Sequence, residues 1–283
     1  MNTNLPKVMQ PLGGKTLISH VINTAQISSE NITVVVGHKK DLLKEHIAAI
    51  DPKIETADQD QQLGTAHAVK TAAHLIKDDE KILILYGDVP LISAATIDAL
   101  ISAQQECTLL SMHLSDPTGY GRIMADGQNN ALKIVEQKDA SAQEALIQDV
   151  FTGILMINGD LLKKSLEEIN NQNAANEFYL TDLVEILSKK GVKINCIQAN
   201  PSEVVGANNK KELHELEAIL RNMSADKLLD QGITLLDSSR VDVRGKVEAG
   251  KDCSVDVNVI FEGNVTLGQN VIIKSNVVLQ DVS

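Results

Sequence analysis

The residues best suited to chemistry stand in short, separate stretches. Tyr86-Gly87-Asp88 closes an aliphatic run, Ile82-Leu83-Ile84-Leu85. Such a run predicts a strand buried on both faces of a parallel sheet. Asp88, just past it, falls at the sheet edge where open α/β folds take ligands, and Gly87 leaves room for a ligand to approach the backbone. On this stretch alone, Asp88 serves equally well as a loop cap. Leu5-Pro6-Lys7 offers an ammonium on a proline-fixed backbone, either facing a phosphate or lying on the surface. Gln59 and, within QQLGT, Gly64 and Thr65 precede a helix. Free N–H groups there attract anions or bond a base edge. The Gln59 amide, donor and acceptor at once, suits the imide edge of uracil; a simple helix start accounts for the same residues. In DPTGYGR, Gly119 and Gly121 flank Tyr120, so a ligand could lie flat on the backbone, or the stretch is a tight turn. Glu136 and Lys138 alternate on one face of a strand end, fit for a sugar hydroxyl and a phosphate or for an exposed ion pair. Asn208 is either a neutral oxygen ligand for a hard cation shared with a carboxylate or a helix N-cap.

The elements that must position these groups alternate. Helical spacing marks 16–26, 41–50, 65–76, 94–105, 160–169, 179–189 and 212–229. Extended patterns mark 32–36, 54–56, 81–85, 108–113, 121–125, 132–135, 151–157 and 192–197. Strands alternating with helices of this length predict βαβ units with right-handed crossovers. After Gly232 the chain becomes periodic. Val241, Val247, Cys253, Val259, Val265, Val271 and Val277 recur every sixth residue, and two residues after each comes another aliphatic or aromatic one, from Val243 to Leu279. Gly, Asn and Asp fill the space between, the pattern of a β-helix built from hexapeptides, each supplying one short strand and one corner.

The whole-chain quantities bound the partners. A chain of 283 residues can build a large core and two domains. A net charge of −12 argues against nucleic-acid or anionic-membrane binding across the surface, while leaving room for a local basic pocket for phosphates. Cys107, Cys196 and Cys253 are far apart and read as buried thiols in a reducing compartment. No apolar run approaches membrane-spanning length and no signal peptide is visible, which predicts a cytoplasmic protein.

Taken in order, LPK, QLGTAHA, YGDVPL, DPTGYGRI, VEQKDA, EFYLTDLVEIL, SEVVGANN, a long helix and hexapeptides resemble the bacterial bifunctional N-acetylglucosamine-1-phosphate uridyltransferase / glucosamine-1-phosphate acetyltransferase family. The resemblance covers essentially the whole chain; YGDVPL with DPTGYGR is its specific part, and LPK alone is weak. It implies an α/β, Rossmann-like nucleotidyltransferase domain over 1–211, a linker helix over 212–231 and the start of a left-handed β-helix over 232–283. The implied reaction joins UTP and N-acetylglucosamine 1-phosphate into UDP-N-acetylglucosamine and pyrophosphate, for peptidoglycan and lipopolysaccharide precursors. The resemblance implies that Asp88 and Asn208 hold Mg2+, that Lys7 binds the phosphates and with Asp88 serves catalysis, and that Gln59, Gly64 and Thr65 read uridine. Tyr86, Gly87, Gly121 and Glu136 would line the nucleotide-sugar pocket. The β-helix of the family trimerises, so a homotrimer is the implied assembly.

Three departures shape the expectation. The family opens on a strand and a loop of the type L-A-A-G-x-G-T-R-M, with Met1 at the last position; its N–H groups and Arg would cradle the triphosphate. Little or no uridylyl transfer, and an exposed sheet edge, are therefore expected of the chain as written. Phe151 stands where the family has Asn, so an amide contact on the sugar side is lost. The β-helix stops at Ser283, ahead of the family's acetyltransferase residues, so that activity is expected to be absent. Two other readings are a non-catalytic remnant that binds UDP-sugar or assembles with other subunits, and a fragment of a normal enzyme with a misassigned start.

Overall fold

A computed structural model describes residues 3–283. The chain divides into two compact units, Val21–Val204 in one and the residues through His20 with Val205–Ser283 in the other. In chain order, β1 (Pro11–Leu12) and β2 (Lys15–Thr16) form a short hairpin, α1 (Leu17–Ser28) follows, and β3 (Thr33–Val36), α2 (Lys40–Ile50), β4 (Glu55–Asp58) and α3 (Thr65–Thr71) come next. Then come β5 (Lys81–Ile84), α4 (Ala94–Ser102), β6 (Cys107–His113), β7 (Gly121–Ala125), β8 (Ala131–Val135), β9 (Asp149–Asn158), α5 (Gly159–Glu168), α6 (Asp182–Lys189) and β10 (Ile194–Gln198). The helix expected to run from 65 to 76 ends at Thr71, and Ala73–Leu75 tightens into a 3-10 turn.

The sheet of the Val21–Val204 unit is mixed. β10, β6, β9, β7 and β8 lie side by side in that order, with β5 also bonded to β9, while β3 and β4 pair apart as a parallel two-stranded sheet. Only β10 and β6 are parallel within the larger sheet; β5, β6 and β7 all run antiparallel to β9. This corrects the reading of 81–85 as a parallel strand buried on both faces. β5 is half-buried and antiparallel, with Ile84 opposite Leu155. The strand covered on both faces is β9, whose ten residues include the run Val150 to Ile157, all buried. It is the longer run, and it wins the central position. Adjacent residues in β6 serve opposite faces, as strand alternation requires: Leu109 joins Leu155, Leu183 and Leu187 in one apolar cluster, and Leu110 joins Ile97, Leu100 and Ile154 in the other.

The second unit is a stack of coils. It contains α7 (Lys210–Asp230), β11 (Thr234–Leu235), β12 (Val241–Ala249), β13 (Ser254–Val255), β14 (Val259–Leu267), β15 (Ile272–Ile273) and β16 (Val278–Val282). β11, β13 and β15 form one parallel sheet, and β12, β14 and β16 another. Arg240 to Asn258, Arg244 to Glu262 and Asn258 to Asn276 are bonded side chains 18 residues apart, so each coil takes three hexapeptides. Each periodic residue from Val241 to Val265 is buried in one cluster with Val255, Phe261 and Leu267. Enclosing a side chain the size of Phe261 contributes about 1.5–3 kcal/mol. Asp252, Asn258, Asn270 and Asn276 turn corners at φ near +60°, a conformation that short polar side chains tolerate. The strands are fewer and longer than one per hexapeptide, because β12 and β14 run on through a corner for nine residues each.

Compactness groups the chain differently from the sequence boundary at 211. The β1–β2 hairpin packs on α7: Gly13 N donates to Glu217 at 3.1 Å, and Lys210 Nζ donates to Gln10 at 2.5 Å. α7 buries Leu213, Leu216, Ala225 and Leu228, so it is a packed element of this unit rather than a bare connector. Among the described residues no helix is long and apolar enough to cross a membrane. The three cysteines are free; Cys107 and Cys253 are buried and Cys196 is partly so.

Candidate active site

β5 delivers Tyr86, Gly87 and Asp88 into a turn closed by Val89 N donating to Tyr86 O at 3.1 Å. The Tyr86 ring lies on Gly153, which has φ +90°; a Cβ at that position would sit 2.7 Å from the ring. Burial, then the neighbouring Glu136 charge, push the Tyr86 phenol up to about 12, against a hydrogen bond with Thr65 that lowers it. A phenol is protonated at neutral pH even at its ordinary pKa, so Tyr86 is a donor. The charge of Asp88 adds to the upward push. Thr65 in turn accepts from Leu180 N at 2.9 Å.

Glu136, just past β8, turns inward. Thr181 Oγ1 donates to its carboxylate at 2.9 Å, and burial raises its pKa. Lys138, on the same face in sequence, is exposed. Thr65, Tyr86, Asp88 and Glu136 thus come together around the end of β5. Thr181 belongs to the same cluster, and the sequence offered only its place in EFYLTD as a signal for it.

Asp182, at the start of α6, is a further member. Burial first, then the charges of Glu136, Glu185 and Asp139, raise its carboxyl to about 6. An acid raised on folding costs stability once pH exceeds its unfolded value, and the full cost is present above the folded one. Asp182→Asn is therefore expected to stabilise the chain at pH 7.5 by on the order of 1 kcal/mol, after a discount for its solvent-exposed half. The gain should vanish near pH 4; urea midpoints at both pH values measure it.

Gly121 does not offer an open floor. A Cβ there would meet Ile134 Cγ2 at 2.7 Å, so the missing side chain lets β8 and Glu136 close in. Gly119, at φ +89° with nothing within 4 Å, is the turn residue. Phe151, paired with Gly121 across β9 and β7, is buried among Leu109, Ile123 and Ile134 and presents no hydrogen-bonding group.

The QQLGT stretch is clasped to the segment before α6. Phe178 N donates to Leu63 O at 2.8 Å and Ala66 N to Phe178 O at 2.9 Å. Gly64 sits between them at φ +117°, ψ 177°, a region only glycine occupies freely. Gln59 Nε2 lies 3.1 Å from Gly64 O and 3.1 Å from His67 Nδ1. One amide hydrogen is thus engaged by Gly64 O, and the role of the His67 contact depends on the tautomer of that ring.

The other unit holds the remaining pair. Lys7, in a 3-10 turn after Pro6, donates to Asn208 Oδ1 at 2.6 Å across 201 residues. Asn209, not Asn208, is the N-cap of α7: its side chain accepts from Lys211 N and Glu212 N. Asp88 belongs to one unit and Asn208 to the other. Among the described residues no group of three or more His, Cys, Asp or Glu is arranged to hold a metal ion. A carboxylate and an amide oxygen are each hard donors of the kind Mg2+ takes together with phosphate oxygens, and Asn208 Oδ1 already receives a cationic group.

A mixed sheet under helices gathers a tyrosine and carboxylates at the end of β5, and residues 1–139 match the family described as MobA-like NTP transferase domain. The fold is Rossmann-like and is shared with UDP-glucose pyrophosphorylase solved with UDP-glucose, at a TM-score of 0.59 and 17% identity, covering 79% of this chain and 91% of that one. A nucleoside-diphosphate-sugar pyrophosphorylase from Vibrio cholerae aligns with a TM-score of 0.59 and 18% identity, covering 76% and 93%.

The chain is a homologue of the proteins named Bifunctional protein GlmU. It is 43% identical to that of Idiomarina loihiensis over 99% of its own length and 62% of the relative, and 45% identical to that of Ralstonia pickettii over 100% and 63%. It therefore spans somewhat less than two thirds of these relatives.

Proposed function

We propose that this chain binds UTP and N-acetylglucosamine 1-phosphate and forms UDP-N-acetylglucosamine and pyrophosphate, in the cytoplasm, for cell-wall and lipopolysaccharide precursors. The observation that carries the reading is the convergence of Thr65, Tyr86, Asp88 and Glu136 at the end of β5. The chain-long likeness to the GlmU proteins supports it.

In this reading, residues 1–211 act as the nucleotidyltransferase domain. Lys7 meets the phosphates, and Gln59, Gly64 and Thr65 receive the uridine. Tyr86 offers its phenol as a donor, while Glu136 orients a sugar hydroxyl; Gly87 lets backbone approach the nucleotide sugar, and Gly121 lets Glu136 close in on it. Asp88 and Asn208 would hold Mg2+ with the substrate's phosphates, and the bound ion would offset phosphate charge in an acidic protein. The residues perform no covalent step: they hold the sugar phosphate in line with the α-phosphorus of UTP, so positioning and charge stabilisation carry the rate. The coils beyond Gly232 form a left-handed β-helix that brings copies together as a homotrimer.

The test is pyrophosphate release from UTP and N-acetylglucosamine 1-phosphate with Mg2+, set against calorimetric binding of UDP-N-acetylglucosamine. Weak release above background is the expected result. Binding without release supports a nucleotide-sugar-binding protein instead, and absence of both overturns the reading.

A further inference from the structure

The Gln59 amide is oriented by chemistry alone. Its terminal atom 3.1 Å from Gly64 O must be the nitrogen, because a carbonyl oxygen only accepts. The same nitrogen lies 3.1 Å from His67 Nδ1. Two amide hydrogens meet two acceptors if His67 carries its proton on Nε2. The His67 ring is steadied by Phe178, with centroids 6.5 Å apart. What Gln59 has left to offer is Oε1, an acceptor only. Gln59 also lines an open cleft of about 480 Å³ with Gly37, Lys40 and Gln62.

We propose that His67 is a positioning residue for base selection. By accepting the second Gln59 amide hydrogen, it locks Oε1 toward the incoming base. The site then takes a base that presents an N–H there, as uracil does at N3, and rejects one that presents a lone pair, as cytosine does at N3. The inference rests on the nucleotide-binding reading above and adds the group that sets its polarity. A glutamine free to rotate would offer either end and accept both bases; the discrimination comes from fixing the amide, because a mismatched base leaves two acceptors facing each other.

The experiment compares UTP and CTP binding by calorimetry to the 283-residue chain and to His67→Phe, which keeps a ring against Phe178 and removes the acceptor. The parent chain is expected to favour UTP by about tenfold or more, and His67→Phe to bring the ratio below about threefold. Gln59→Ala should do the same, and adding His67→Phe to it should change the ratio no further, a coupling that a purely structural role would not produce. Circular dichroism checks that each variant is folded. Independently, nitrogen-15 spectra of the histidine rings at pH 7.5 should show His67 Nδ1 unprotonated. Protonated Nδ1, an unchanged ratio in folded His67→Phe, or preference for CTP in the parent would overturn the inference while leaving nucleotide binding intact. A parent chain that binds neither nucleotide would overturn the nucleotide reading and this inference with it.

Discussion

Replacing Asp88 with alanine is expected to lower Mg2+-dependent pyrophosphate release by about 10²–10³-fold, the scale seen when one preorganised charge contact to a reacting phosphate is lost. Asp88 stands in the turn after β5, half-buried, close enough for its charge to raise the Tyr86 phenol. A carboxylate there is a hard, anionic oxygen donor; alanine offers none. A second readout does not depend on turnover. Mg2+ should strengthen UTP binding to the parent chain and have little effect on the variant. Asp88→Asn, which keeps an oxygen but loses the charge, should fall between the two. Because the side chain is only half-buried, thermal unfolding should change little, so lost activity cannot be assigned to lost fold. Near-normal release by Asp88→Ala, with Mg2+ still strengthening UTP binding, would refute the metal role.

Gly64→Ala should be severely damaging. At φ +117° and ψ 177°, the backbone there is costly for any residue with a Cβ, by about 1–3 kcal/mol. The added carbon would also lie 2.5 Å from Phe178 O and 2.7 Å from Phe178 N, which are backbone atoms that cannot swing aside. Relief requires the first turn of α3 to leave Phe178, breaking the two-bond clasp and pulling Thr65 away from Leu180 and Tyr86. The combined loss should be about 3 kcal/mol or more, together with weaker UTP binding. Urea unfolding measures it, with an unchanged m-value showing that the two-state comparison is sound. Gly127→Ala is the control, since nothing lies within 4 Å of a Cβ there. Equal urea midpoints for the two variants would show that the Gly64 clasp is not what holds this loop.

The sequence determined what depends on near neighbours. The six-residue period from Val241 onward places Val, Cys and Phe inside the coils because each rung stacks only on the next. The alternation of strand and helix marked the layered unit, and the order of YGDVPL and DPTGYGR marked the residue set. The sequence offered Asn208 as an N-cap before α7; local hydrogen bonding puts the cap one residue on, at Asn209.

Only the tertiary structure decided the pairings. Two aliphatic runs, in β5 and β9, look alike in composition, and competition for burial gives the centre to the longer one. Gly121 reads as space for a ligand or a turn until Ile134 is found filling the missing Cβ position. Lys7 meets Asn208 across 201 residues, and Thr181 meets Glu136 across 45, contacts that no local period encodes. Spacing fixes which way a side chain faces on its own element. What it then meets depends on chain closure over long separations, and there the loss of chain entropy is offset only by the packing of the whole unit.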